Sequence, residues 1–300
     1  MRHAGEISHV SEREDVAPRK PRSRPMRSVA GQRAAHAWLA SIPVWAWLAG
    51  IVLASTWAEI LIGRGLQSPT VFSDELIYSE LARSFSAGGH FLLRDVPTTA
   101  YGPLSRLYPV LIAPAYNLSG NAVQAFEFVK VINSALMSLA ALPAYFVARR
   151  LLSRSFALIA AVLAVAVPSI VYSGMVMTES AAYPAFLICA LAIIASLEEP
   201  SLRRQLLVLA AIGLAFSVRA QAIALLPAYV TGIALLGCLE SKPGTRLRDL
   251  RRNLAPYNPT WLALAGGVAL VVAVQAGRGA EKPMPFSETL PMIPGEKAST

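Results

Sequence analysis

Seven apolar runs recur along the 300-residue chain, near residues 42–62, 124–148, 155–173, 181–197, 206–218, 221–238 and 260–276. They limit the fold before any single residue is considered. Backbone that enters hydrocarbon finds no water to bond with, so each run has to close its own N–H and C=O groups, as a helix does. About 20 residues cross a ~30 Å core. Several runs are shorter than that, and 206–238 reads either as a hairpin of two spans or as one long kinked span. Only 15% of residues are charged and 55% are hydrophobic, too little charge to cover a soluble surface of this size. The expected class is an all-α polytopic membrane protein. Pro143, Pro168, Pro184 and Pro227 lie within or beside the runs, where neighbouring helices satisfy the carbonyls a proline frees.

Basic residues give the orientation. Residues 1–41 are rich in Arg, Pro and Ser and lack apolar periodicity, so they read as a disordered basic cytosolic tail. The 42–62 run is long enough to span, unlike the short core of a cleaved signal peptide. With the amino terminus inside, segments 1–43, 149–154, 198–204 and 240–252 are cytosolic and hold 8, 3, 2 and 5 Lys or Arg, which is 18 of the 27 in 69 positions. This is the positive-inside pattern. A single span over 206–238 would reverse it at the arginines of 246–252, which favours two. The net charge of +9 then reflects topology and attraction to anionic inner-leaflet lipid. No interleaved aromatic and basic surface argues for nucleic acid. Cys189 and Cys238 sit in apolar runs as small packing residues and imply no disulfide.

The same topology puts residues 63–122 outside the cytosol as a long first outer loop, a length that marks functional or disordered segments. This one is patterned. From Asp74 a helix places Ile77, Tyr78, Leu81, Ala82 and Phe85 on one side and Ser79, Glu80, Arg83 and Ser86 on the other, and Gly88-Gly89 ends it. Such a helix is expected to lie flat in the membrane interface. Asp74 and Glu75 open it. Two carboxylates beside a bilayer are costly unless solvated or used. Ser73, Asp74 and Glu75 are also favoured at helix starts, where each stabilises free N–H groups by roughly 0.3–1 kcal/mol. Capping and chemistry are compatible, because the helix dipole keeps the carboxylate ionised and able to accept a proton.

Phe72-Ser73-Asp74-Glu75-Leu76-Ile77-Tyr78, with Leu81-Ala82-Arg83 and Gly88-Gly89, resembles the first outer loop of GT-C-type membrane glycosyltransferases, in particular protein O-mannosyltransferases and lipid A aminoarabinose transferases. The likeness continues through Tyr101-Gly102-Pro103-Leu104, Tyr108-Pro109-Val110-Leu111-Ile112-Ala113-Pro114, Met177-Thr178-Glu179-Ser180 and Gly213 to Gln221, covering roughly residues 42–240. It implies a GT-C-like bundle of about seven transmembrane helices over 42–276. Its activity would be the transfer of one sugar, with inversion, from a polyprenyl-phosphate carrier to a protein, glycolipid or cell-wall acceptor. The active site would face outward from the plasma (inner) membrane. Carried over by motif, Asp74 is the base toward the acceptor and Glu75 orients the acceptor or Asp74. Relatives of this kind also admit a divalent cation beside the acidic pair, on which the residues of this chain are silent. Such enzymes generally have more spans and often an outer domain, so 277–300, a Pro- and Gly-rich outward segment, is expected to belong to a truncated chain.

Further candidates follow from position. Glu179 lies in an outward turn where it can meet Asp74 across the outer cavity and bind substrate, or be solvated at the interface, or cap the next helix through Thr178. Arg219, outward and among apolar residues, needs a partner or an anion, for which leaving-group phosphate is suited. A structural arginine on a helix-end carbonyl is the alternative. Tyr101 and Arg106 in the first outer loop are candidate substrate contacts, as are His90 and Arg94, although solvated loop residues are commoner. Asn117-Leu118-Ser119 matches the glycosylation triplet, which is frequent by chance. The four histidines lack metal-ligand spacing. A secondary transporter or lipid flippase would also show many proline-broken spans. It would place ionisable residues at mid-bilayer within an internal repeat, whereas here they gather on the outer side and no repeat is evident. A non-catalytic scaffold would leave the patterned loop unexplained.

Overall fold

The computed structural model describes residues 41–65, 72–94, 96–97, 105–166, 168–241, 249 and 252–279, the last eleven residues or so as backbone. Residues 1–44 and 45–300 are separate units, and of the first only 41–44 are described. The tail expected over 1–41, apart from Ser41, lies outside the described residues, as do Tyr101 and residues 280–300.

Helices dominate. In chain order they are α1 (Val44–Gly63), α2 (Ser73–Gly88), α3 (Leu107–Leu118), α4 (Ala122–Ser138), α5 (Ala141–Ala148), α6 (Arg154–Val165), α7 (Glu179–Glu198), α8 (Leu202–Val218), α9 (Leu225–Leu239) and α10 (Asn258–Gly279). A two-residue antiparallel hairpin, β1 (Leu92–Leu93) on β2 (Val96–Pro97), follows α2. Each of the seven apolar runs is helical. Among the described residues, four stretches are long and apolar enough to cross a membrane: Val44–Gly63, Ala122–Ala148, Glu179–Glu198 and Ala220–Leu239. Large apolar side chains such as Trp45 and Trp57 on α1, Phe156 and Leu163 on α6 and Leu235 on α9 point outward, the surface hydrocarbon would cover.

Two of the runs differ from a simple span. Residues 155–173 do not form one helix: α6 stops at Val165 and a 3-10 segment covers Pro168–Gly174. Proline disfavours helical backbone in the residue before it, and the twelve residues of α6 reach only about 18 Å. The 206–238 stretch is split as the basic residues suggest. Arg219 is extended (φ −150, ψ 121), a 3-10 turn covers Ala220–Ala224, and α9 turns back into a core it shares with α7 and α8.

Two buried clusters stand out among the described residues. At one end Ala82 (α2), Tyr108 and Ile112 (α3), Phe126 and Val129 (α4), Val176, Ala181 (α7) and Val218 (α8) form a buried cluster. Toward the other end Cys189, Val208, Ile212, Tyr229 and Ile233 join α7, α8 and α9. The apolar face of α2, the helix expected to lie in the membrane interface, is covered by protein. Leu81 and Ala82 are fully buried against protein, because α3 and α4 rise to meet that face.

α1 is tied in by polar groups. The buried Glu59 carboxylate accepts from Ser55 Oγ and Ser138 Oγ, both at 3.1 Å. Lys130 Nζ, also buried, donates to the Gly63 carbonyl at 3.0 Å and pairs with Glu127 at 2.7 Å. A cation at the last turn of α1 complements the helix dipole.

Candidate active site

The α2 helix starts one residue earlier than its acidic pair. Phe72 is the N-cap, Ser73 is the first helical residue, and Gly89 closes the helix in the left-handed region at φ 72, a conformation that favours glycine. About one hundred degrees of helical rotation then separate Asp74 from Glu75, and the two carboxylates diverge. Asp74 is exposed and makes no hydrogen bond among the described residues. Glu75 is 1% exposed. Its Oε2 accepts the Phe72 backbone N–H at 3.2 Å, and its Oε1 accepts the Val176 backbone N–H at 3.0 Å. Capping is therefore the work of Glu75 and not of Ser73.

Tyr78, one turn after Asp74, is the junction of the cluster. Its phenol is hydrogen-bonded by Ser105 and lies in the field of Asp74, Arg219 and Glu179. Burial, then the Asp74 carboxylate, push the phenol above its ordinary value, so it stays protonated. Its ring stands edge-on to Tyr108 at 5.4 Å. Tyr108 in turn donates to Asn133 Oδ1 at 3.2 Å.

Glu179 and Arg219 form an ion pair, with side chains 23% and 34% exposed. Arg219 N–H also donates to Thr178 Oγ1 at 3.4 Å. The arginine caps the carboxyl end of α8 and the glutamate opens α7, so each charge suits the helix end it occupies. Glu179 Oε2 is buried and has no hydrogen-bond partner among the described residues, which is costly for a charged acceptor unless a ligand supplies a donor. The 173–179 turn that carries this pair is gripped from several elements: Asn133 Nδ2 donates to the Met175 carbonyl at 2.7 Å, Glu75 holds Val176 and Ser173 approaches Glu59.

Asp74, Glu75, Glu179 and Arg219 thus share one end of the bundle, around Tyr78 and Tyr108. Arg106 is placed otherwise, with its guanidinium over the Phe91 ring at 5.8 Å, where Phe91 stacks on Phe85. Tyr101 lies outside the described residues. On the opposite face of α2 from Asp74, a cavity of about 400 Å³ is lined by Ser79, Glu80, Arg83, Tyr116 and Asn121. Among the described residues no three His, Cys, Asp or Glu side chains converge as a metal site. Of the acidic pair, Glu75 directs each oxygen at a backbone N–H, and Asp74 is the carboxylate left open to solvent.

Sequence reasoning missed Tyr78 as a polar member of the site, and Asn133, Glu59 and Lys130 as buried polar groups. The last two carried a signal, since a lone ionisable residue within an apolar run is costly and so has a purpose.

Residues 105–246, from just before α3 to just beyond α9, match the family model described as dolichyl-phosphate-mannose-protein mannosyltransferase. The match includes Glu179 and Arg219, and the acidic pair lies ahead of it. No curated protein and no solved structure gives a significant match. This match over residues 105–246, together with the helical membrane architecture, supports membership of the GT-C superfamily of membrane glycosyltransferases.

Proposed function

We propose that the chain moves a single sugar from a polyprenyl-phosphate carrier to a hydroxyl-bearing acceptor on the extracytoplasmic side of the inner membrane, with Asp74 as the base. The observation that supports this reading is the juxtaposition around Tyr78 of a solvated, unengaged carboxylate with a guanidinium, at the end of the bundle where α2 docks. In the proposed step the acceptor oxygen bonds to the anomeric carbon as the bond from that carbon to the carrier phosphate breaks. The acceptor proton passes to Asp74, and the electron pair leaves with the phosphate oxygen, whose charge Arg219 meets with charge-assisted hydrogen bonds. A single in-line displacement inverts the anomeric centre. Glu179 holds Arg219, and its free Oε2 accepts a hydrogen bond from a sugar hydroxyl. Glu75 is a positioning residue that acts through α2 and the 173–179 turn. The acceptor is a protein, a glycolipid or a cell-wall polymer.

The test is transfer from a polyprenyl-phosphate mannose donor in proteoliposomes, with wild-type protein beside Asp74→Asn. We expect the variant to lose roughly 10²–10⁴-fold in rate with little change in melting temperature, since Asp74 makes no hydrogen bond among the described residues and its charge at the helix start is worth only about 0.3–1 kcal/mol. Full activity in Asp74→Asn would remove it from the mechanism, and absence of transfer by the wild type from any polyprenyl-phosphate sugar would end the reading as a whole.

A further inference from the structure

A second cavity lies toward the other end of α7 and α8 from the Asp74 cluster and differs from it in chemistry. It has a volume of about 870 Å³ and runs between α5, α7 and α8, walled by Phe146, Ile188, Leu191, Leu207, Ala210 and Leu214, with Arg149 and Arg150 beside the last turn of α5. Phe146, Ile188, Leu207 and Leu214 are all exposed in the bare protein. On helices of a membrane bundle such a trough faces hydrocarbon rather than water, and it is filled by a chain, not by solvent.

Its charged end says which chain. Arg150 is paired with Glu198, the last residue of α7. Arg149 has one N–H on the Leu152 carbonyl at 2.6 Å and no carboxylate partner among the described residues. The neighbouring segments 149–154 and 198–204 hold five arginines against two glutamates, so this end attracts anions. From Glu179 to Glu198 the helix rises about 30 Å. A carrier phosphate seated on Arg149 would therefore be out of reach of Asp74. The distribution of basic residues puts this end at the cytosolic leaflet.

We infer that this groove is a binding site for an anionic phospholipid of the inner leaflet, with an acyl chain between α5, α7 and α8 and its phosphate on Arg149. The site is independent of the proposed transfer reaction. Phosphate and guanidinium make strong paired hydrogen bonds, and a basic residue near anionic lipid contributes about 1 kcal/mol, or roughly fivefold in affinity.

Native mass spectrometry of the detergent-purified chain titrated with phosphatidylglycerol or phosphatidylcholine of equal chain length tests it. We expect retention of phosphatidylglycerol over phosphatidylcholine by roughly fivefold or more, loss of that preference in Arg149→Gln with recovery in Arg149→Lys, and loss of both lipids in Ala210→Phe, which fills the groove from an exposed position. Equal retention of the two lipids, or a preference indifferent to Arg149→Gln and Ala210→Phe, would overturn the site. Displacement of phosphatidylglycerol by equimolar polyprenyl phosphate would overturn its assignment to a phospholipid.

Discussion

The Glu75 carboxylate and the Val176 backbone N–H meet at 3.0 Å across 101 positions of sequence. This bond helps to fasten the helix that carries Asp74 to the turn that carries Glu179. The contact is buried, and the second Glu75 oxygen closes the start of α2 on Phe72. A residue that reads as half of a catalytic pair thus also joins two elements of the fold.

Glu75→Ala should destabilise the protein by roughly 2–4 kcal/mol, because it leaves two backbone donors without partners, one of them buried. Glu75→Gln retains a carbonyl acceptor and should lose less. Thermal unfolding in detergent separates the two variants. Equal melting temperatures for wild type and Glu75→Ala would mean that this junction adds no stability.

Arg219→Ala should raise the KM for the lipid-phosphate donor more than that for the acceptor, since its anion-binding group faces the leaving phosphate in the proposed step. Stability should change little, as a partly exposed ion pair contributes ~0–1 kcal/mol. Glu179→Gln should weaken donor use as well, by loosening Arg219 and removing a charged acceptor from the sugar. Steady-state kinetics with both substrates varied decide it, and equal loss toward donor and acceptor would assign Arg219 to structure alone.

Tyr78 provides a pH test. Its phenol is raised by burial and then by Asp74, so ionisation is harder in the folded state than in the unfolded one. Below the ordinary phenol value of about 10 both states are protonated and the associated stability is intact. As pH rises from there through the raised value, the unfolded state ionises first and stability is lost. Tyr78→Phe should flatten this part of the alkaline unfolding curve. A curve with the wild-type slope above pH ~10 would contradict the buried, acid-flanked setting.

Lys130→Met should cost roughly 1–3 kcal/mol, because it takes a charged donor from the Gly63 carbonyl at the end of α1. The methionine keeps the apolar stem packed, so the loss reports the hydrogen bond and the cation rather than a void. Glu59→Gln should be milder, since the amide oxygen still accepts from Ser55 and Ser138. Chemical unfolding of the two variants in detergent measures both, and a Lys130→Met protein as stable as wild type would leave α1 held by apolar packing.

Much of the scaffold was legible beforehand for local reasons. The end of α2 at Gly88-Gly89 follows from a glycine that accepts positive φ, and the break at Arg219 was implied by the arginines of 246–252, which one span would have put on the wrong side. The interruption before Pro168 was less visible, because the run over residues 155–173 is mostly apolar in composition and only the geometry of the residue before proline divides it. Within the site, Glu179 was singled out as a substrate-binding acid and Arg219, separately, as a base needing a partner or an anion. Nothing in their spacing of 40 positions said that they would find each other.

Composition and the order of apolar and basic segments determined that this chain is a helical membrane protein, since hydrocarbon forces backbone to bond to itself and permits few alternatives. The acidic pair, too, could be located at a helix start from sequence. Which carboxylate turns outward was decided only in three dimensions. Asp74 and Glu75 are adjacent and chemically alike, and a rotation of one residue along α2 separates a solvated acid from a buried one. That choice rests on where α3, α4 and the Val176 turn stand, and those positions come from contacts between residues far apart in the chain.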